Sequence, residues 1–393
     1  MKRKDTPVFS SGGRSNYRIP SVVADRNGTF YAFCNDRRDS LSDAAGEVWL
    51  TFARKKPGEE WEEPRVLAGV PGWACTMGSA VYDAGTDTVM CCGEKVPFQR
   101  NEFGRYSKEQ LAEMAAESER RVKERGIRPG RFILSSRDGG ETWEDKEHRI
   151  LPAKFTHWDG TRIRFEGSCH GSAHGITLRH GPHAGRLVCP SRVAAGPYAN
   201  WDELRISVYN NALYSDDHGL TWQASGPVQL GTGEGALIEN ADGSLTYNSR
   251  AYFRDGKRYL AASRDGGATW GDFRTDPFLI EETFCGCNAS FLRIERGELA
   301  PDDAALLPPD AEGLTLFANP RAEKRVNMSV CYSFDGGKTW SGAKTAFAGP
   351  SSYSSLEYSA AAGCFVLLYE WGREDPCDGG VAAAEFDLAW LLN

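Results

Sequence analysis

The chain has 393 residues, of which 40% are hydrophobic and 25% are charged. This is the mixture of an ordinary globular protein, so disorder, collagen and a coiled coil are excluded as its main structure. With 46 basic against 54 acidic residues, the formal net charge is -8. We expect no nucleic-acid partner, because a phosphate-binding surface usually makes a domain basic.

No stretch approaches the ~18 consecutive apolar residues of a membrane-spanning helix, and the first residues lack the apolar segment of a secretory signal. We therefore expect no membrane insertion and a cytoplasmic location. The 11 cysteines are odd in number, include no Cys-x-x-Cys pair and are scattered through apolar runs. This usage is typical of buried, reduced thiols.

Short apolar runs bounded by turn-forming residues predict β-strands along most of the chain. The predicted strands are 29–34, 47–53, 88–92, 131–135, 186–190, 236–239, 245–248, 314–318 and 364–369. One segment, 107–125, is different, because Ser107 and Gln110 form the pattern of a helical capping box and Gly126 provides a stop. We expect a solvated helical insertion within about 101–130.

A repeated pattern, Ser-x-Asp-x-Gly-x-Thr-Trp, occurs at residues 136–143, 215–222, 263–270 and 333–340. Each copy follows a short apolar or β-rich run, in chain order RFIL, NNALY, KRYLAA and MSVCY, which places it at the end of a strand and suggests a hairpin turn. In such a turn the Asp side chain accepts backbone N–H groups, Gly supplies a positive φ, and Trp packs between strands. Residues 54–61 are a degenerate copy that keeps Gly58 and Trp61.

These repeats indicate the architecture rather than the chemistry. So large an all-β chain must avoid exposed strand edges, and radial repetition of four-stranded sheets is one way to do so. We therefore predict a β-propeller that forms a single domain over residues 1–393.

The segment Tyr17-Arg18-Ile19-Pro20, together with the four Asp-containing turns, resembles the Arg-Ile-Pro motif and Asp boxes of the sialidase (neuraminidase) family. The resemblance extends from about Arg18 to Glu370. It implies a six-bladed β-propeller with four-stranded antiparallel blades. It also implies a retaining exo-α-sialidase that needs no cofactor or metal and releases terminal sialic acid from oligosaccharides, glycoproteins or glycolipids.

The resemblance implies that three arginines bind the sialic acid carboxylate. They are Arg18, Arg250 at the end of the element ADGSLTYNSR, and Arg325, for which Arg321 is the alternative. The chemistry suits this assignment, because a planar carboxylate takes paired guanidinium hydrogen bonds that lysine cannot reproduce.

The same resemblance assigns the catalytic groups. Asp43 corresponds to the acid/base aspartate, Tyr353 to the nucleophile and Glu234 to the base that deprotonates it, with Tyr358 as the alternative nucleophile. A tyrosine suits this substrate, since its anomeric carbon bears a carboxylate that would repel an anionic nucleophile.

Three further positions follow from the resemblance. Arg38 corresponds to an accessory arginine beside the substrate, and Glu370 to the carboxylate that orients Arg18. Met77 stands where many sialidases have Asn-Pro or Asp-Pro, near the pocket for the C5 substituent. This departure leaves the N-acyl preference open.

Three kinds of alternative function remain: a metal site, a non-catalytic binding module and a related reaction at the same site. The stretch 169–183 contains Cys169 and four histidines, but its glycines do not suit a zinc helix, so we expect no metal site. An Asp-box propeller that only binds glycan or protein is the alternative from another class. The remaining alternatives keep the site but change the outcome: transfer to another sugar, a 2,7-anhydro product, or a related nonulosonic acid as substrate.

Overall fold

The computed structural model describes residues 3–38, 40–41, 47–71, 73–97, 107, 109, 112–113, 116, 120, 130–165, 167, 173–196 and 200–393. Strands dominate this part of the chain, and the prediction of an all-β fold is confirmed. All nine predicted strands are present. No helix among these residues is long and apolar enough to cross a membrane.

The first nine strands, in chain order, are β1 (Arg3–Ser10), β2 (Ser15–Ala24), β3 (Phe30–Arg38), β4 (Val48–Lys55), β5 (Arg65–Ala68), β6 (Trp73–Asp83), β7 (Thr88–Pro97), β8 (Gly130–Ser136) and β9 (Glu144–Asp145). Strands β2 to β9 form one sheet in the order β2-β3-β4-β6-β7-β8-β9, and β5 pairs with β4. A single parallel pair, Val48 with Ala74, joins β4 to β6. Among the described residues, this pair is the backbone link between the two halves of the sheet, whose side chains also pack against each other.

The middle strands are β10 (Arg149–Leu151), β11 (Ala153–Thr156), β12 (Arg162–Phe165), β13 (Ile176–Thr177), β14 (Leu187–Ala194), β15 (Val208–Ser215), β16 (Thr221–Ala224), β17 (Thr232–Glu239), β18 (Leu245–Ala251), β19 (Lys257–Ser263) and β20 (Gly271–Ile280). They form a sheet in the order β10-β16-β15-β14-β13, a separate β11-β12 hairpin, and a sheet in the order β17-β18-β19-β20.

The last strands are β21 (Ser290–Glu295), β22 (Gly313–Pro320), β23 (Val326–Ser333), β24 (Gly342–Ser359), β25 (Cys364–Trp371) and β26 (Gly380–Phe386). With β1 they form a sheet in the order β1-β26-β25-β24-β23-β22-β21. The first part of the long strand β24 pairs with β23 and its second part pairs with β25. Pairing of β1 with β26 brings the two ends of the chain together.

Helices are short in the described part of the chain. The α-helices are Trp201–Leu204, Pro301–Ala304 and Leu388–Leu392, and the 3-10 helices are Gly181–His183 and Arg296–Glu298. Most of the predicted insertion at 101–130 lies outside the described residues. Those that are described between 109 and 120 are helical, in agreement with the prediction for 107–125.

The Asp-containing turns have the predicted construction. In the turn at 136–143, Asp138 accepts hydrogen bonds from the backbone N–H and the hydroxyl of Thr142. Gly140 has φ 80°, and its N–H donates to Ser136 Oγ over 2.9 Å. Trp143 packs edge-on against Phe52 at 5.2 Å between ring centroids. The other three turns repeat the Ser, Asp and Gly contacts and likewise connect antiparallel strands.

Hydrophobic side chains pack strands of the same sheet that are not neighbours against each other. One cluster joins Phe33 and Phe52 to Cys75 and Phe132, and another joins Leu367 and Phe386 to residues of β22 and β23. Every residue of β18, β22 and β26 is buried. All ten described cysteines are buried and form no disulfide, as the sequence predicted.

Candidate active site

Tyr353 is the centre of a cluster of charged side chains. Its hydroxyl donates to Glu234 Oε1 over 2.8 Å and accepts from Arg250 Nη1 over 2.6 Å. The guanidinium carbons of Arg18, Arg250 and Arg325 lie 5.4, 5.8 and 5.6 Å from the centre of its ring. Tyr353 is only 6% exposed. Four residues from different parts of the sequence thus meet at one buried phenol.

Arg18 is held by Glu370, which is fully buried near the end of β25. Glu370 Oε1 accepts from Arg18 Nε over 2.7 Å, and Oε2 accepts from Nη2 over 3.2 Å. The backbone N–H groups of Ile19 and Tyr353 also donate to this carboxylate. Burial alone would raise the pKa of Glu370, but the Arg18 charge and these donors lower it to about 2. Glu370 is therefore ionised in the folded protein at neutral pH.

The backbone is strained beside Arg18. Ile19 has φ 63°, a conformation that is rare for a β-branched residue and costs of order 1–3 kcal/mol. The pairing of β2 with β3 is irregular between Arg18 and Ser21. The hydrogen bond from Ile19 N–H to Glu370 fixes this bulge, so the bulge directs Arg18 and its neighbour to one carboxylate.

Glu234 lies in β17, and Arg250 lies at the end of the adjacent strand β18. Arg250 Nη1 donates to Glu234 Oε2 as well as to Tyr353. Burial would raise the pKa of Glu234, but the charges of Arg250 and Arg192 outweigh it and lower this pKa below its ordinary value. Glu234 is thus a carboxylate able to accept the Tyr353 proton. Arg192, in β14, carries no motif, and the sequence analysis missed it.

The structure separates Arg325 from the alternative Arg321. Arg325 donates to Ser352 Oγ over 3.0 Å and to the Gly286 carbonyl over 2.9 Å, beside Tyr353. Arg321 instead lies over the ring of Phe278, with its guanidinium carbon 4.8 Å from the ring centre. Only the first of these arginines belongs to the cluster.

Tyr358, the alternative nucleophile, has a different environment. Its hydroxyl donates to Asp303 Oδ2 over 2.9 Å and accepts from the Ala300 N–H. Burial first, and then the Asp303 carboxylate, raise the pKa of Tyr358. Its ring packs 4.5 Å from that of Phe365, in the hydrophobic core. The Tyr358 hydroxyl thus lies beside a carboxylate in the core.

The accessory positions are partly described. Arg38 Nη1 donates to Asp36 Oδ2 and to Ser15 Oγ, both over 2.7 Å, and its guanidinium carbon lies 4.6 Å from the centre of the Trp49 ring. Asp43 lies outside the described residues, so its role stays a prediction.

Met77 is 3% exposed and packs in the same hydrophobic cluster as Ile19. Its N–H donates to Asn35 Oδ1 over 2.8 Å, and Asn35 is paired with Arg18 across β2 and β3. Met77 is therefore close to the arginine cluster but buried beside it. Contact of its side chain with substrate stays a prediction.

The histidine-rich stretch forms no metal site within the described residues, where no three His, Cys, Asp or Glu side chains are grouped closely enough to hold an ion. His174 is buried, and His180 contacts Glu295 over 2.7 Å. Cys169 and His170 lie outside the described residues.

Comparison with known proteins agrees with the all-β fold. The BNR repeat-like domain family matches residues 28–363, so the chain belongs to that family. It is 32% identical to the sialidase of Micromonospora viridifaciens over 406 residues, which cover 99% of this chain and 54% of that protein. It is 24% identical to the sialidase of Bacteroides fragilis (strain YCH46) over 83% of this chain and 54% of that protein. These relatives identify it as a member of the sialidase family.

A solved structure shows the same fold. The crystal structure of the intramolecular trans-sialidase from Ruminococcus gnavus in complex with oseltamivir carboxylate aligns with a TM-score of 0.68 and 17% identity, covering 98% of each chain. The chain spans about half the length of the two curated bacterial sialidases.

Proposed function

We propose that this protein is a retaining exo-α-sialidase that removes terminal sialic acid from glycoconjugates through a tyrosyl-enzyme intermediate. One observation carries the proposal: the hydroxyl of Tyr353 lies between Glu234 and Arg250, and three guanidinium groups surround its ring. A binding module would need cations for an acidic sugar, but it would not need a phenol hydrogen-bonded to a partly buried carboxylate.

The cluster supplies an electrostatic reason for the use of tyrosine. Arg18, Arg250 and Arg325 bind the substrate carboxylate, and each charge-assisted hydrogen bond contributes ~1.5–3 kcal/mol. Tyr353 is neutral as it approaches, so the carboxylate does not repel it. Negative charge then develops on its oxygen next to the same arginines, which stabilise it in the transition state.

The proposed reaction forms and then hydrolyses a covalent bond between Tyr353 and the sugar. Tyr353 Oη forms a bond to the anomeric carbon while Glu234 takes the phenol proton, and Asp43 gives a proton to the leaving oxygen as its glycosidic bond breaks. Asp43 then takes a proton from water, whose oxygen attacks the anomeric carbon. Glu234 returns the proton to Tyr353 as the tyrosyl bond breaks. Two inversions give net retention.

We also propose that the sheets are six blades of four strands around a central axis. The blades would be β2 to β5, β6 to β9, β13 to β16, β17 to β20, β21 to β23 with the start of β24, and the rest of β24 with β25, β26 and β1. A cavity of about 250 Å³ supports this grouping, because one strand of each proposed blade lines it. These strands are β2, β6, β13, β17, β21 and β24.

The first test is release of fluorophore from 4-methylumbelliferyl α-sialoside. Turnover by the protein should be lost in Tyr353→Phe and retained in the matched control Tyr358→Phe. Asp43→Ala should lose more activity on sialyllactose than on the aryl sialoside, because a phenol leaves without needing protonation. Product analysis by mass spectrometry distinguishes free sialic acid from a 2,7-anhydro or transfer product.

A second measurement locates the nucleophile. A fluorinated sialic acid should trap a covalent adduct, and peptide mass spectrometry should place it on Tyr353. A label on Tyr358 would show that the nucleophile is wrongly assigned. Sialic acid binding without any turnover would favour a carbohydrate-binding module instead.

A further inference from the structure

Three consecutive backbone carbonyls each bind a different arginine in the loop from Glu281 to Cys287, here called the 281–287 loop, which connects β20 to β21. The Cys285 carbonyl accepts from Arg250 Nε over 2.9 Å, and the Gly286 carbonyl accepts from Arg325 Nη2 over 2.9 Å. The Cys287 carbonyl accepts from Arg258 Nη1 over 2.8 Å. Two members of the arginine cluster thus share one short segment of backbone.

The Cys285 thiol reinforces this contact. Its Sγ lies 3.3 Å from Arg250 Nη2 and 3.6 Å from Arg325 Nη2. Cys285 is 7% exposed, so this side of both guanidinium groups faces protein rather than solvent. The two arginines are therefore held on one side by the same loop while the other side faces Tyr353.

Gly286 allows these carbonyls to point to both arginines. Its φ is 67°, in the left-handed region that favours glycine. A Cβ at this position would lie 2.9 Å from Arg250 Cγ and 2.9 Å from the Ala251 carbonyl oxygen. Any larger residue must therefore move the loop or Arg250.

The loop is anchored from below by a buried ion pair. Arg258 and Glu281 have side chains that are 0% and 1% exposed, and Arg258 Nη1 donates to Glu281 Oε1. The same carboxylate oxygen accepts from the Cys287 N–H over 2.8 Å. Glu282 accepts from the N–H groups of Phe284 and Cys285 over 2.6 and 3.1 Å. Both acidic residues thus fix the backbone of the loop.

We propose that the 281–287 loop is a positioning element that sets Arg250 and Arg325 for recognition of the substrate carboxylate. The inference rests on the proposed sialidase function and adds Gly286 and Glu282 to it as positioning residues. An arginine already bound to fixed carbonyls has lost much of its rotamer freedom before substrate arrives. Carboxylate binding then costs less conformational entropy. Loss of the loop geometry should therefore weaken substrate binding more than it slows the chemical step.

The test compares Gly286→Ala with the matched control Gly363→Ala. Gly363 has nearly the same backbone conformation, φ 65°, but no atom within 4 Å of the position of an added Cβ. Both variants bear the strain of alanine in the left-handed region, whereas only the added Cβ of Gly286→Ala lies too close to Arg250. We expect Gly286→Ala to raise KM for the aryl sialoside at least about tenfold and to change kcat less. A tenfold rise in KM corresponds to a loss of about 1.4 kcal/mol of binding free energy. Gly363→Ala should keep the KM of the parent protein.

A second variant, Glu282→Gln, tests the same loop if Gly286→Ala does not fold. Glu282→Gln keeps one oxygen acceptor for the loop N–H groups but removes the other, so KM should rise in the same direction by less. Calorimetry with N-acetylneuraminic acid should show the same order of affinities. Unchanged KM and affinity in both loop variants, in a protein that does turn over the sialoside, would overturn the inference. A parent protein that neither turns over nor binds a sialoside would instead refute the proposed function.

Discussion

At the scale of single residues, two similar side chains differ in the charges that surround them. Tyr353 and Tyr358 lie five residues apart in one strand. The first contacts Arg250 and Glu234, while the second donates to Asp303, whose negative charge opposes ionisation of a phenol. Only the surroundings of Tyr353 favour negative charge on its oxygen.

Arg250 and Arg321 form a similar pair, one inside and one outside the cluster, and substitution by lysine tests the difference between them. Arg250→Lys should lower kcat/KM about 10- to 100-fold, because an ammonium group cannot form the paired hydrogen bonds of a guanidinium. The matched change Arg321→Lys should leave kcat/KM within about twofold, since that arginine packs on Phe278 outside the cluster. Equal losses in the two variants, both folded by circular dichroism, would remove Arg250 from the carboxylate site.

At the scale of elements, the repeated turns are held by hydrogen bonds that depend on a charged aspartate. Asp138 accepts from the hydroxyl and the backbone N–H of Thr142, and these bonds lower its pKa to about 2. The ordinary value is 3.8. Because the folded-state pKa is depressed, the stabilisation is complete above the ordinary value and is lost as the pH falls toward 2.

Asp138→Asn tests this linkage. The wild-type protein should be more stable than the variant at about pH 5. The difference should narrow by about pH 3, because Asp138 is then protonated in the unfolded chain while it is still charged in the folded protein. Urea unfolding at the two pH values measures it. The exposed control Asp302→Asn, in the short helix Pro301–Ala304, should show no comparable change. A difference that widens toward low pH would contradict the role given to the charge.

At the scale of the whole molecule, strands from six parts of the chain converge on one cavity. Glu357, four residues beyond Tyr353 in β24, lines it with residues of β2, β6, β13, β17 and β21. Burial raises the pKa of Glu357 to about 8. Because the folded-state pKa is raised, Glu357 contributes most to the free energy of unfolding below its ordinary pKa of 4.5. This contribution is lost as the pH rises toward 8, since the buried carboxyl must then either stay protonated or ionise inside the protein.

Glu357→Gln should therefore stabilise the protein at high pH. The amide has nearly the same shape and cannot ionise, so we expect a Tm gain of a few degrees at about pH 8 and a smaller gain at about pH 5. Differential scanning calorimetry at both values measures the gain. The exposed control Glu374→Gln should change Tm little at either pH, and a loss of stability at pH 8 would refute the interpretation.

Much of the fold was predictable because it depends on local chemistry. The Asp, Gly and Trp of each turn form their contacts within eight residues of sequence, as in the turn at 136–143. Short apolar runs likewise predicted the strands, although the strands continue beyond several runs. Strand β3 extends to Arg38, for example, because pairing with β2 and β4 satisfies the backbone N–H and C=O groups of its polar residues.

The sequence by itself determined the turns and the all-β class, and through family resemblance it predicted that one site would contain Arg18, Glu234, Arg250, Arg325, Tyr353 and Glu370. Only the tertiary structure shows that Arg325 rather than Arg321, and Tyr353 rather than Tyr358, lies in the arginine cluster, and only it places Arg192 and the 281–287 loop beside that cluster. The physical reason is distance along the chain. Arg18 and Glu370 are 352 residues apart, and the loop binds its arginines through backbone carbonyls, which every residue type carries.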